Sequence, residues 1–222
     1  MSSNHSQFTS KLVTAGVLSG PFFMAVSLLQ AFTRDGFDWI RHPASLLSLG
    51  DLGFIQIANF VITGALFIAC AVGLKRILTA GVGRKWLPPL FALVGIAFIL
   101  GGVFVADPAF GFPPGTPEGM PKQTSWHSTI HGFAPAIGSL AISAALLIFA
   151  WRLWKQGRRG ASILTVLVVI VSFVLNVLPP ITADWEKGEF NFLPLWIGVA
   201  LVYCYTGVLV AQLKAELPKA GI

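Results

Sequence analysis

Residues 56–77 read QIANFVITGALFIACAVGLKRI, a block whose two charges, Lys75 and Arg76, stand together at its end. An α-helix rises about 1.5 Å per residue and a hydrocarbon core is about 30 Å thick, so roughly 20 apolar residues suffice to cross it. Comparable blocks fall near 12–32, 87–106, 128–151, 161–181 and 193–213. Alternating segments of about 10 residues, the mark of a membrane barrel, do not occur, and backbone groups in lipid must bond within their own segment. The reading is an all-α integral membrane protein of six transmembrane helices, one membrane domain over 1–222. Composition agrees: 55% hydrophobic and 11% charged, where a soluble domain carries about 25% charged residues. The first block is longer than the roughly 7–15 apolar residues of a secretory signal and is read as a retained span.

Orientation follows from the cations. Lys11, Lys75, Arg76, Arg84, Lys85, Arg152, Lys155, Arg158, Arg159, Lys214 and Lys219, eleven of the fifteen Lys and Arg residues, fall in the tails and the even-numbered connections. The positive-inside rule then puts both termini in the cytoplasm. These cations sit in short turns without interleaved aromatics, so the net charge of +6 reads as topology and contact with lipid headgroups, not as nucleic-acid binding. Cys70 and Cys204 lie inside spans and offer neither a disulfide framework nor a metal spacing.

The odd-numbered, outward connections hold eight of the nine carboxylates and three of the four histidines. The first, TRDGFDWIRHPASLLSLGDLGF, carries Arg34, Asp35, Asp38, Arg41, His42, Ser45 and Asp51. Pro43 suits a first helical position and Gly50 a helix end, which predicts a short interfacial helix between them. The second, ADPAFGFPPGTPEGMPKQTSWHSTIHGFAP, is broken by Pro and Gly until Thr124 or Ser125 can cap a helix bearing His127 and His131 one turn apart. Neutral imidazoles so spaced can bind a metal or exchange protons, and they can equally be interfacial residues bonded to loop groups. The third, ITADWEKGEFNF, adds Asp184, Trp185, Glu186, Lys187 and Glu189.

Polar residues within the spans keep to the outer half: Gln30, Gln56, Asn59, Thr63 and Asn176. The spacing of Gln56, Asn59 and Thr63 makes one stripe facing other helices. No ionisable residue lies deep in a span, which disfavours a coupled transporter. Three readings of function follow. The first is an outward-facing polar pocket for a lipid or other apolar ligand, with Arg34, His42, Gln56, Asn59, Asn176 and Asp184 as ligand-binding candidates. The second is a metal-assisted hydrolase of lipid ester or amide bonds, with Ser45, Asp107, His127 and His131 as catalytic candidates. His42, Asp107, His127 and His131 are its metal ligands, and zinc the candidate ion, lowering the pKa of a bound water to about 7. The third is a structural or assembly subunit whose protein partner the sequence does not name.

The stretch from GVLSGPFFMAVSLLQAFTRDGFDWIRHPASLLSLGDLGF onward, with VFVADPAFGFPPGTP and the His127–His131 segment, resembles the bacterial and archaeal six-span proteins of domain-of-unknown-function family 998. The resemblance implies a multi-pass protein of a prokaryotic cytoplasmic membrane and marks Arg34, Gly36, His42, Pro43, Ser45, Gly50, Asp107, Pro108 and His131. It brings no activity. A more distant similarity, to alkaline ceramidase and adiponectin-receptor hydrolases, would supply a three-histidine zinc site with a Ser and an Asp, but those bundles have seven spans and a different ligand order.

Overall fold

The apolar blocks become six long helices in a computed structural model, which describes residues 2–184 and 189–216. They are α1 (Ser2–Thr33), α2 (Gly53–Ile77), α3 (Leu87–Val103), α4 (Trp126–Lys155), α5 (Arg159–Thr182) and α6 (Leu193–Ala215). A short 3-10 helix, Ala44–Ser48, forms where the Pro43 to Gly50 reading expects one. Pro43 caps it instead of opening it, and Gly50 ends the segment with a φ of +71°. Among the described residues there are only isolated β-bridges and no strand. Trp185, Glu186, Lys187 and Lys219 lie outside the described residues.

Five helices are long and apolar enough to cross a membrane, which makes this a multi-pass membrane protein. The exception is α3, with 17 residues and a length of about 26 Å. It ends before the expected residue 106 because Phe104 turns extended, with a ψ of 98°. The outer surface is what lipid requires: Leu29, Phe32, Phe133, Leu140 and Ile181 are each 65–71% exposed, more apolar side chain than a water-facing flank carries.

Each helix packs on the next, and α6 returns to α1 to close a ring. The α2–α3 contact is the tightest kind available: a Cβ built on Gly64 would lie 2.5 Å from the Gly95 carbonyl oxygen, and one on Gly95 the same distance from that of Gly64. Paired glycines let two backbones approach where no side chain intervenes. The interior is filled by rings, with Phe67 stacked on Phe98 at 5.6 Å and Tyr203 edge-on to Phe98 at 5.1 Å.

The two ends of the bundle differ. At one end the three odd-numbered connections meet: the Phe192 N–H bonds the Ile40 carbonyl (2.6 Å) and the His42 ring bonds the Phe110 carbonyl (2.8 Å). At the other end Arg152 donates to the Val82 carbonyl and to Glu216, the ninth carboxylate. The share of residues buried is lowest in α5, 28% against 39–44% for the other four long helices, so α5 is the most lipid-exposed wall.

Candidate functional site

The odd-numbered connections form a lid, and His42 is its centre. The ring is 2% exposed. Its Nδ1 accepts from the Asp38 N–H (2.9 Å); Nε2 therefore carries the proton and donates to the Phe110 carbonyl (2.8 Å). Its own carbonyl accepts from the Trp196 indole N–H (3.0 Å). Burial holds the His42 pKa below its ordinary value, opposed by the bond to Phe110, with Arg41 lowering it further and Asp38 and Glu118 pulling upward. Beside it Arg34 donates to the Leu47 and Leu49 carbonyls and lies over the Phe112 ring. The two marked glycines serve this lid: Gly36, at a φ of +74°, lies under Pro114, and Gly50 leaves room for the Arg34 guanidinium.

A second knot fastens the start of α4. Ser125 caps it, its Oγ accepting from the Ser128 N–H (3.2 Å). That hydroxyl donates to Asp107 Oδ1 (2.7 Å), Asp107 Oδ2 accepts from the Ser125 N–H (2.7 Å), and the Asp107 N–H donates back to Ser128 Oγ (3.1 Å). Burial would raise the Asp107 carboxyl, but the Ser125 bonds, the charge of His127 and the Ser128 bond hold it below the ordinary carboxylate range. His127 and His131 do share one face, and that face is turned to the end of α3. Nδ1 of His127 reaches the Val105 carbonyl (3.2 Å), and Nδ1 of His131 reaches those of Gly101 (3.0 Å) and Phe104 (2.8 Å). Carbonyls at a helix end lack intrahelical partners, and the two imidazoles supply donors there. This explains the shortened α3 better than its apolar sequence does.

Asp107→Ala removes the acceptor of both Ser125 bonds. The expected loss is about 1–3 kcal/mol of stability, read as a lowered melting temperature in detergent, with the largest protection loss in amide exchange at the start of α4. Because the folded carboxyl titrates below its ordinary value, this contribution is full above the ordinary carboxylate range and disappears as pH falls through the folded pKa.

Below the lid lies a cavity of about 480 Å³. It occupies the lid-side half of the bundle: His131 to Ser143 of α4, Ser172 to Val177 of α5 and Leu195 to Tyr203 of α6 contribute walls, and Pro43, Ala44, Ser45 and Trp196 form the roof. Its well-exposed lining residues, Pro135, Ala136, Leu140 and Phe173, all belong to α4 and α5. The opening is therefore in the flank between those helices, under the lid and not through it. Among the described residues no Asp, Glu, Lys or Arg lines it.

Comparison with known families gives one match, a model for proteins of unknown function, DUF998, over residues 17–212. The chain belongs to that family. No curated protein and no solved structure matches. Membership covers the whole lid and cavity, so both belong to the part of the chain that the family shares.

The residues singled out in the sequence divide three ways. Ser45, His131 and Asn176 come together on the cavity. Arg34, His42, Asp107 and His127 are bonded into the lid and the α4 knot, and Asp184 pairs its backbone with Glu189 in the last connection. Gln56 and Asn59 are buried between α1 and α2, where Gln30 donates to Gln56 (2.7 Å), Gln56 donates to Ser27 (3.0 Å) and Asn59 donates to the Phe23 carbonyl (3.1 Å). That stripe does face another helix, but it does not reach the cavity.

The ligand set His42, Asp107, His127 and His131 does not form a metal centre: among the described residues no three His, Cys, Asp or Glu side chains are placed to hold an ion. Both nitrogens of His42 are already in hydrogen bonds, and Ser125 Oγ, beside Asp107 and His127, already accepts a backbone N–H while donating to the carboxylate. The sequence reading passed over Trp196, Ser139 and Ser172, each an ordinary-looking residue within an apolar helix. A serine in a span carries no signal of its own, since most such hydroxyls bond the preceding turn.

Proposed function

We propose that this chain spans the membrane six times with both termini cytoplasmic, and that its cavity takes the apolar portion of a lipid from the outer leaflet through the α4–α5 flank. The supporting observation is the cavity: about 480 Å³, roofed from the aqueous side, with its exposed lining confined to two lipid-facing helices. That volume lies in the usual range of small-molecule sites, about 300–1,000 Å³. At its 17 residues α3 meets the lower limit for a span, about 17–25 residues, and the cation-rich even connections support cytoplasmic termini.

Native mass spectrometry of protein extracted from membranes is expected to find a retained lipid. Ser139→Trp and Val199→Trp, which fill the cavity from α4 and α6, should eject it without unfolding the protein. Identical lipid retention in the filled variants, or none in any form, would overturn the reading. For topology, an impermeant maleimide applied to intact cells should label Met120→Cys and spare Ala80→Cys; the reverse pattern inverts the orientation.

A further inference from the structure

We infer that the ligand of this cavity is a neutral apolar molecule bearing a free hydroxyl, of the diacylglycerol or long-chain alcohol kind, and that its hydroxyl donates to His131 Nε2. The inference rests on the lipid-binding reading above and names the class of lipid. Two features of the lining carry it. The first is that no described cationic side chain lines it, so a phosphate or carboxylate drawn inside would be desolvated without a partner from that lining.

The second is a ring acceptor with no donor, faced by an orphaned amide oxygen and an orphaned hydroxyl. Because Nδ1 of His131 donates to the Gly101 and Phe104 carbonyls, Nε2 of the neutral ring holds a lone pair, and no described group bonds to it. Pro135 has no N–H to give to the carbonyl of His131 four residues before it. On the facing wall Asn176 Oδ1 has no partner, and neither has the Oγ of Ser172, a residue only 2% exposed. The contrast within the same helix is telling: Thr165 bonds the carbonyl four residues back, as do Thr14, Thr33 and Thr206 elsewhere, and Ser172 does not. The other polar groups on the lining are mostly hydroxyls, which adapt to either role. A guest that brings an O–H donor can pair the lone pair of His131, whereas one with only ester carbonyls meets hydroxyls that can donate to it but leaves that lone pair without a donor.

The test offers purified protein in detergent equal amounts of 1,2-dioleoylglycerol, triolein and dioleoylphosphatidic acid, which share acyl chains and differ in the donor and the charge. Dioleoylglycerol is expected to be retained about tenfold over the other two, the worth of one net hydrogen bond. His131→Asn keeps an amide donor near the place of Nδ1 for the α3 carbonyls and removes the acceptor at Nε2; it should abolish the preference while the protein stays folded. Should that variant fail to fold, Ser172→Ala and Asn176→Leu decide, each expected to reduce the preference several-fold. Equal retention of the three lipids, or a preference untouched by these substitutions, would overturn the inference and leave lipid binding standing. Retention of none of the three and of no native lipid would overturn both.

Discussion

Gly95→Leu is expected to prevent accumulation of folded protein, and Gly95→Ala to lower stability by more than about 3 kcal/mol, at the upper end of the usual cost of overpacking. A Cβ at residue 95 would meet the Gly64 carbonyl oxygen at 2.5 Å, Ile68 Cγ1 at 2.7 Å and the Ile68 nitrogen at 3.1 Å. Two of those three atoms are backbone, so no rotamer change relieves the clash and α2 must move from α3. The reciprocal substitution, Gly64→Leu, meets the Gly95 carbonyl and Ile99 in the same way and should behave alike. Gly132→Ala and Gly160→Ala, whose new Cβ atoms would meet nothing within 4 Å, are the controls. Melting curves in detergent read the effect; a Gly95→Ala protein as stable as the Gly132→Ala control would show that this crossing tolerates separation.

His42→Ala should cost about 2–4 kcal/mol, because it leaves the Asp38 N–H and the Phe110 carbonyl without their partner and opens a void beside Phe37 and Phe112. The same residue predicts a pH dependence. Its folded pKa lies below the ordinary 6.5, so between those two values the unfolded chain binds a proton that the folded chain refuses. The contribution of His42 to stability is therefore complete above pH 6.5 and declines as pH falls from there through the folded pKa. Comparing wild type with His42→Phe isolates the effect: the difference in melting temperature should shrink on acidification from pH 7 toward pH 5. A difference independent of pH would mean that His42 titrates alike in both states.

The helices were legible because each rests on a local property, the length of an apolar run. Residues 56–77 needed no partner to be read, and the caps at Ser125 and Gly50 are likewise determined within a few positions of themselves. The extent of α3 was not legible, since its end depends on carbonyls that His127 and His131 take from another helix. The candidate site was half legible for the same reason. His131 and Ser45 stood out by residue type, whereas residue type alone did not tell His42 and Gln56 from ligand-facing groups: polarity in a membrane chain marks a need for partners, and in the structure those partners are other protein groups. Ser172 shows the converse, an unremarkable residue distinguished only by a bond that it does not make.

The bonds that close the roof join distant parts of the chain: Trp196 holds the carbonyl of His42 across 154 residues, and Phe192 holds that of Ile40. Helices of a membrane protein are made in order, and the ring closes only when α6 meets α1. Until then the cavity lacks its α6 wall, and Pro43 to Ser45 stand over it without the bond from Trp196 to His42 that fastens the roof. The chamber is thus the last thing this protein acquires during its synthesis, and a ligand of the proposed kind present at that moment would need no doorway.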